Sequence, residues 1–224
     1  MDYSVRISDE VLESMSLAAI EAYCLGDGNK KNKEKIETLG YIWGFKRVEA
    51  EHTVFFISKF SISISALRNS SWVAPNPHAL TLKNAFVKRW SPQLTLLGDF
   101  HTHPYDDLTD VKRNTGFEFS DSDFIHFKNE DEIWNDSNDQ PLMLAMTICR
   151  LTRVRDSWAT QPRDNVCSYS VGEFRFWVNA SVGFLNEDGE RDCTGNARSP
   201  VFVDLNSRFF NMSGDRVQER LEAI

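Results

Sequence analysis

Apolar residues recur at helical spacing in the first part of the chain. Over residues 8–25 they return every three or four positions, and two acidic residues stand in the first turn, a pattern typical of an amphipathic helix whose apolar face packs on a sheet. The positions that form this face are Leu12, Met15, Ala19, Ile20 and Tyr23. A short apolar strand over residues 3–7 precedes the helix.

Further strands and helices alternate along the rest of the sequence. Runs rich in β-branched and aromatic residues predict strands over 36–44, 54–64, 94–103, 142–151 and 169–178. Helices are predicted over 77–90 and from Ser120 onwards, where a capping serine is followed by acidic residues. This alternation predicts an α/β fold with a mixed sheet flanked by helices.

Length and composition are those of a chain that can bury a sizeable core. The sequence has 224 residues, of which 41% are hydrophobic, and this favours one main domain over residues 1–182. Residues 183–224 are then a C-terminal extension that packs on the domain or completes it. The extension contains a strand-like run over 201–204 and a closing helix from about Ser213.

Charge and cysteine usage exclude several classes of protein. The net charge of −8 argues against a nucleic-acid partner, because phosphate binding needs clustered Lys and Arg. The basic run over 30–35 is short and is expected to be solvated surface. The four cysteines are scattered, which indicates neither a disulfide scaffold nor a structural zinc site. No signal peptide or membrane-spanning run is evident, so we expect a cytoplasmic protein without a membrane partner.

Two histidines at the end of the strand over 94–103 are the first candidates for chemistry. Side chains alternate between the faces of a strand, so His101 and His103 point to one side, and Pro104 is expected to end the strand after them. The sequence Ser120-Asp121-Ser122-Asp123 follows, with Asp123 in the first turn of the predicted helix. Two imidazoles and one carboxylate are a common ligand set for a catalytic zinc ion, which leaves one coordination position for water.

With Glu37 in the strand over 36–44, these motifs resemble a known family. A glutamate before Gly40-x-x-x-Gly44, then Gly98-x-x-His-Thr-His-Pro104, then Ser120-x-x-Asp123, resembles the JAMM (MPN-plus, JAB-domain) zinc metalloproteases, which cleave peptide or isopeptide bonds at the C-termini of ubiquitin-like proteins. The resemblance covers roughly residues 5–182. It implies an MPN/JAB fold, similar to that of cytidine deaminases, with one zinc ion per chain.

The resemblance also implies a role for each motif residue. His101, His103 and Asp123 would bind the zinc ion, and Glu37 would act as the general base that takes a proton from water and passes it to the leaving amine. Ser120 would stabilise the oxyanion of the tetrahedral intermediate. His126 lies one helical turn after Asp123 and could orient that carboxylate.

The chain departs from the family in one spacing. Residues 104–119 separate His103 from Ser120, which is longer than the spacing usual in the family. The stretch over 105–116 within it is polar and rich in turn-forming residues and is expected to form an inserted loop beside the site. Because lengthening a loop costs little free energy, Asp123 can still reach the metal, and it remains a better candidate than Asp106, Asp107 or Asp110.

Two other functions are compatible with parts of the pattern. Asp99-x-His101-x-His103 also resembles the metal-binding motif that opens PHP-type and amidohydrolase-like hydrolases, but those proteins place it near the N-terminus and add histidines from later strands. A non-catalytic MPN scaffold subunit would keep the fold, but such subunits lack some of the ligands.

The substrate class follows from the same resemblance. The chain has no recognisable ubiquitin-binding appendage and resembles bacterial stand-alone members that work beside ubiquitin-like conjugation enzymes in antiphage defence. The resemblance therefore implies a ubiquitin-like protein or its conjugate as substrate and associated conjugation enzymes as partners. Whether the bond is an isopeptide or a linear peptide bond is left open.

Overall fold

The computed structural model describes residues 2–28, 34–154, 159–197 and 199–205. Within these residues it is a mixed α/β fold with one large curled sheet and five helices. The closing helix predicted from Ser213 and most of the basic run over 30–35 lie outside the described residues.

The large sheet has ten strands in its hydrogen-bonded network. Their order is β12-β1-β3-β2-β6-β7-β10-β9-β8, with β11 paired to β10, and a separate two-stranded hairpin is formed by β4 and β5. The strands are β1 (Asp2–Ile7), β2 (Leu39–Glu49), β3 (His52–Ile62), β4 (Leu67–Arg68), β5 (Val73–Ala74), β6 (Thr95–Tyr105), β7 (Leu142–Arg150), β8 (Thr160–Arg163), β9 (Val166–Val171), β10 (Phe174–Leu185), β11 (Arg191–Cys193) and β12 (Val201–Asp204). Parallel pairs, namely β1 with β12, β1 with β3 and β6 with β7, occur beside antiparallel ones, so the predicted mixed sheet is confirmed.

Helices cover both faces of the sheet. They are α1 (Asp9–Leu25), α2 (Pro77–Trp90), α3 (Leu108–Asn114), α4 (Asp121–Lys128) and α5 (Asp131–Asp136). The apolar face of α1 packs against β1, β3, β7 and β10 in the larger core, as the spacing of Leu12 and Met15 predicts. A second core on the opposite face joins α2, α4 and α5 to β2, β6 and β7 around Trp43 and Trp134.

A register shift in β6 decides which face its side chains occupy. Leu97 and Phe100 are three residues apart, yet both belong to the α1 core, and Leu96 belongs to the opposite core. Strict alternation would place Leu97 and Phe100 on different faces. The pairing with β2 skips one residue of β6 at this point, and such a bulge re-aims the side chains that follow it. His101 therefore lies on the α4 side of the sheet, near the Phe119 ring.

Three predictions about the elements of the fold are wrong in detail. Pro104 does not end β6, which continues to Tyr105. The pairing of β6 with β2 stops at His101, and beyond it β6 pairs only with β7, so the missing N–H of Pro104 interrupts no hydrogen bond to β2. The strand predicted over 169–178 is two strands, β9 and β10, separated by a turn with Gly172 at φ 55°. The predicted inserted loop contains α3, which Asp107 caps by accepting the Thr109 and Asp110 N–H groups and which buries Val111.

The C-terminal part of the described chain contributes strands to the sheet. The predicted boundary at residue 182 lies within β10, β12 pairs with β1, and Val203 N donates to Asp164 O at 2.8 Å, which draws the far ends of the curled sheet together. No helix among the described residues is long and apolar enough to cross a membrane.

The approach of β6 to β7 requires glycine at position 98. A Cβ there would lie 1.6 Å from the Leu142 carbonyl oxygen, so Gly98→Ala should force the two strands apart and lower the free energy of unfolding by about 1–3 kcal/mol or more. Gly195→Ala is the control, because nothing lies within 4 Å of its Cβ position. Urea denaturation checks both variants, and equal stabilities would contradict the close approach.

Candidate metal centre

Three side chains converge at the end of β6 and the start of α4. The Nε2 atoms of His101 and His103 are 3.0 Å apart. Asp123 Oδ1 lies 3.5 Å from His101 Nε2, and Asp123 Oδ2 lies 3.6 Å from His103 Nε2. The ligand atoms of all three residues lie within 4.8 Å of one another, and they form the one such group of His, Cys, Asp or Glu found in the described part of the chain.

These separations fit a tetrahedral zinc ion. Bonds of about 2.0–2.2 Å at the tetrahedral angle place ligand atoms roughly 3.3–3.6 Å apart, close to the three distances observed, of which the two to Asp123 end on different carboxylate oxygens. The donor set of two imidazole nitrogens and one carboxylate is also one that zinc takes in catalytic sites. His101 and His103 are buried or nearly so, with side chains 9% and 13% exposed. The three residues therefore fit the group that the sequence motif implies.

A capping box holds Asp123 in place. Ser120 Oγ accepts the Asp123 N–H at 3.2 Å, and Asp123 Oδ2 accepts the Ser120 N–H at 2.7 Å, so each residue satisfies a backbone donor of the other. This reciprocal pair fixes the carboxylate at the first turn of α4, on the side that faces the histidines. The predicted helix start at Ser120 is confirmed.

The electrostatics of the group are dominated by burial and by Asp123. Burial would raise the pKa of Asp123, but hydrogen bonds and charge from His101 and His103 hold it well below its usual range. Burial lowers the pKa of His101 despite the nearby Asp123. For His103, the Asp123 carboxylate outweighs burial and raises the pKa, and a hydrogen bond with the Gly116 backbone adds to this effect. The carboxylate is thus ionised, and it draws positive charge to this point.

Glu37 lines the same cleft, but it precedes β2 instead of lying in the strand. Its N–H donates to Asn69 O at 2.7 Å, so the backbone at Glu37 is bonded to the β4–β5 hairpin and leaves the sheet ladder. The prediction that Glu37 lies in a strand over 36–44 is therefore wrong by two residues. Burial raises the pKa of the Glu37 carboxyl to about 7, with opposing effects from His103 and Asp123.

Thr102 connects Glu37 to the histidine strand. It points away from the metal ligands, and its Oγ1 accepts the Thr38 N–H at 2.8 Å, while its own N–H donates to Thr38 O at 3.0 Å. The backbone next to Glu37 is thus fixed to the residue between the two histidines. Sequence analysis gave Thr102 no role, and only its place within His-x-His could have indicated one.

Ser120 and Ser122 form a pair of hydroxyls at the rim of the cleft. Their Oγ atoms are 2.7 Å apart, and both residues are exposed. Because Ser120 Oγ already accepts the Asp123 N–H, Ser122 can donate to it and leave the Ser120 hydroxyl hydrogen directed elsewhere. Ser120 thus lies beside the metal ligands with a hydroxyl able to donate.

Asp99 and His126 line the cleft beside the three candidate ligands, and Glu130 pairs with His126. His126 Nε2 lies 3.0 Å from Glu130 Oε1, and this pairing raises the pKa of His126. Among the described contacts, no hydrogen bond joins His126 to Asp123, so the structure offers no contact through which His126 would orient this carboxylate. Asp99 is 5% exposed and its Oδ1 has no hydrogen-bond partner among the described residues. Burial, aided by the charge of Glu130, raises the pKa of Asp99 to about 7.

The metal ligands open onto a cleft of about 650 Å³. One wall comes from the tip of the β4–β5 hairpin, including the half-exposed Trp72, and the other from residues 114–123. Glu37 lies between the hairpin and the histidines. The cleft is large enough for an extended peptide segment of a few residues to reach the ligand group.

Comparison with known proteins leaves the family open. No protein-family model matches the chain, and no curated protein matches it. Among solved structures, the chain is similar to protein DSY2949 from Desulfitobacterium hafniense, with 12% identity over 94% of this chain and 99% of that one and a TM-score of 0.40. It is also similar to the Trichoplax adhaerens STIL N-terminal domain, with 8% identity over 82% of this chain and 43% of that one and a TM-score of 0.35.

Zinc content tests the ligand group without knowledge of a substrate. We expect about one zinc ion per wild-type chain by elemental mass spectrometry and a large loss in His101→Ala and Asp123→Ala, because three protein ligands are needed to hold the ion. Asp121→Ala and His78→Ala are matched controls, since both residues are exposed and lie outside the group. Zinc retained in Asp123→Ala would remove this residue from the ligand set.

The bond from Thr38 to Thr102 gives a separate prediction for the stability of the site. Thr102→Val keeps the shape of the side chain but leaves the buried Thr38 N–H without an acceptor, which should lower the free energy of unfolding by about 1–3 kcal/mol. Thr102→Ser retains the hydroxyl and should lose much less. Thermal and urea unfolding of the two variants check this, and a Val variant as stable as Ser would contradict it.

Proposed function

We propose that the protein is a zinc-dependent peptidase or isopeptidase that cleaves after the C-terminal tail of a ubiquitin-like protein. The observation that carries the proposal is the convergence of His101, His103 and Asp123 within 4.8 Å in a cleft that Glu37 and Ser120 also line. The JAMM-type motif, and with it an MPN/JAB fold, is the basis for choosing this reaction. A location in the cytoplasm and partners among conjugation enzymes belong to the same proposal.

His101, His103 and Asp123 would hold the metal. When bound there, a zinc ion would supply a Lewis acid and lower the pKa of water to about 7. Glu37, which lines the same cleft, would accept a proton from the attacking water and return it to the leaving amine. Its raised pKa of about 7 suits a group that must both take and give a proton near neutral pH.

Ser120 would stabilise the negative charge that develops on the substrate. Its hydroxyl can donate a hydrogen bond to the carbonyl oxygen of the scissile bond as that oxygen becomes an oxyanion, and Ser122 can donate to Ser120 in turn. Removing one such donor typically costs about 2.7–4 kcal/mol of transition-state stabilisation. The helix N-terminus at Asp121 adds a partial positive charge at the same place.

The cleft favours an extended tail over a bulky substrate. Its walls leave an open channel between the hairpin tip and residues 114–123, and the indole of Trp72 provides an apolar surface along it. A flexible C-terminal tail can enter this channel in extended form and make main-chain hydrogen bonds, a recognition mode in which the peptide adds to existing strand edges. Such a tail would present its terminal carbonyl at the metal ligands.

The two alternatives have less support. A PHP-type or amidohydrolase-like site needs further histidines, and in the described residues His126 is paired with Glu130 while His52 and His78 line no part of this cleft. A scaffold subunit would not need the full set of ligands and acid–base groups. A wild-type protein that holds no zinc would favour the scaffold subunit, and one that holds zinc but cleaves no tail would favour a different metal hydrolase.

A panel of ubiquitin-like proteins tests the activity. Each protein carries either a C-terminal reporter peptide or a lysine joined through an isopeptide bond, and cleavage is followed by mass spectrometry with and without a zinc chelator. Cleavage at the end of the tail that is lost with the chelator supports the proposal and also distinguishes linear from isopeptide bonds. If none of the substrates is cleaved by zinc-loaded protein, the proposed substrate class is wrong.

Glu37→Gln separates zinc binding from catalysis. The amide cannot accept the proton, so turnover of a cleaved substrate should fall by about 10²–10⁴-fold while zinc content stays at the wild-type level. Glu34→Gln is the control, because Glu34 is exposed, three residues upstream, and does not line the cleft. Near-normal turnover in Glu37→Gln would exclude Glu37 as the general base.

A further inference from the structure

The chain connection between the histidines and Asp123 is too long to position the carboxylate by itself. Residues 104–119 separate His103 from the helix that carries Asp123, and only their last part, residues 116–119, leads directly into Ser120. Helix α3, with its buried Val111, anchors the first part of this segment. The last part, residues 116–119, contains no helix or strand, so contacts from elsewhere in the chain position it and the entry to α4.

Among these contacts, that of Asn196 lies nearest along the chain to the start of α4. Its side chain lies against the backbone of Phe119, the residue before Ser120: Asn196 Oδ1 accepts the Phe119 N–H at 2.9 Å, and Asn196 Nδ2 donates to Phe119 O at 2.9 Å. One amide thus satisfies both polar groups of a single residue, as a neighbouring strand would. Phe119 is 5% exposed and its ring lies 6.0 Å from that of His101.

Other polar side chains hold the same segment and Asn196 itself. Asn179 Nδ2 donates to Phe117 O at 2.8 Å and lies 3.4 Å from Asn196 Oδ1, and Asn165 Nδ2 donates to Asn179 Oδ1 at 2.8 Å. Arg163 Nη1 donates to Glu118 Oε1 at 2.5 Å and to Asn196 O at 3.2 Å. We call Asn165, Asn179 and Asn196 the asparagine ladder.

The start of the segment is bonded to the strand next to His103. Thr147 Oγ1 donates to Gly116 O at 2.8 Å, and Thr147 is the residue of β7 that pairs with His103. The segment over 116–119 is thus bound at its first residue to the strand position beside His103, and its last residue leads into Ser120 and the helix that carries Asp123. Its position relative to β10 sets the distance between ligands that come from different elements.

We infer that Asn196, supported by Asn179, is a positioning residue for the metal centre: it fixes the Phe119–Ser120 junction and through it the Asp123 carboxylate. The inference rests on the proposed metal site. Asn196 touches none of the three ligands, so its effect is transmitted through the backbone of Phe119 and the capping box at Ser120. Groups that hydrogen-bond a metal ligand directly typically change metal affinity by roughly 10–100-fold when they are removed, and Asn196 lies one step further from the ligands, so its effect is expected at the lower end of that range.

The test compares three substitutions of graded severity. Asn196→Asp keeps the acceptor for the Phe119 N–H and loses the donor to Phe119 O, whereas Asn196→Ala loses both. Asn179→Ala removes the neighbouring residue of the asparagine ladder. Asn186→Ala is the matched control, since Asn186 Oδ1 also accepts two backbone N–H groups, from Asp188 and Glu190, but in the turn between β10 and β11.

Three measurements are made on each purified full-length chain. Zinc affinity is measured by competition with a chromogenic chelator, and the visible absorption spectrum of the cobalt(II)-loaded protein reports the geometry of the ligands. Hydrogen exchange of the metal-free protein reports the amides of residues 117–123. We expect weaker zinc binding by about 10-fold in Asn196→Ala, a smaller loss in Asn196→Asp, a changed cobalt spectrum in both, and faster exchange at the Phe119 amide.

The outcomes separate this inference from the proposed function. If the wild type binds zinc and the Asn196 variants bind it with unchanged affinity and cobalt spectrum, the inference is wrong, even where their thermal stability falls. An equal loss in Asn186→Ala would likewise show that the effect is general destabilisation. If the wild type binds no zinc, the metal centre fails, and the exchange of residues 117–123 still decides whether Asn196 holds the junction.

Discussion

The register shift in β6 is the constraint on which the arrangement of the cleft depends. It occurs beside Gly98, where the strand approaches β7 so closely that no side chain fits. Before the shift, Leu97 faces the α1 core, and after it Asp99, His101 and His103 face α4. Without this shift, strict alternation along the same sequence would direct both imidazoles into the apolar layer beneath α1, away from Asp123.

Bringing the three candidate ligands together requires that the charge of Asp123 be balanced within the site. Two imidazoles and a carboxylate are placed in a site of low exposure, and burying a charge is unfavourable unless it is paired. The capping box supplies one backbone N–H to Asp123, and the histidines supply the remaining stabilisation. An additional positive charge at this point would be favourable, because it would lie next to the ionised Asp123 carboxylate. The group is therefore suited to bind a cation.

The sequence predicts the parts of this structure that depend on local patterns. The helix over residues 8–25, the helix over 77–90 and the start of α4 at Ser120 are visible from apolar spacing and capping residues, and the structure confirms them. The features that it does not reveal depend on contacts between distant residues. Strand β2 begins two residues after Glu37, whose N–H bonds to Asn69, and β6 continues through Pro104 beside β7. The contact of Asn196 with Phe119 is likewise invisible in the sequence. The helix α3 is an intermediate case, since its cap at Asp107 is a local signal hidden in a polar stretch.

Ser120 illustrates how two demands narrow the choice of residue at one position. As the residue that caps α4, it could be replaced by Asp, Asn or Thr at little cost, because all of them accept a backbone N–H. As the proposed donor to an oxyanion it needs a hydroxyl, which excludes Asp and Asn. Serine and threonine are the residues that meet both demands, so variation at this position during evolution would be limited by the overlap of folding and chemistry rather than by either alone.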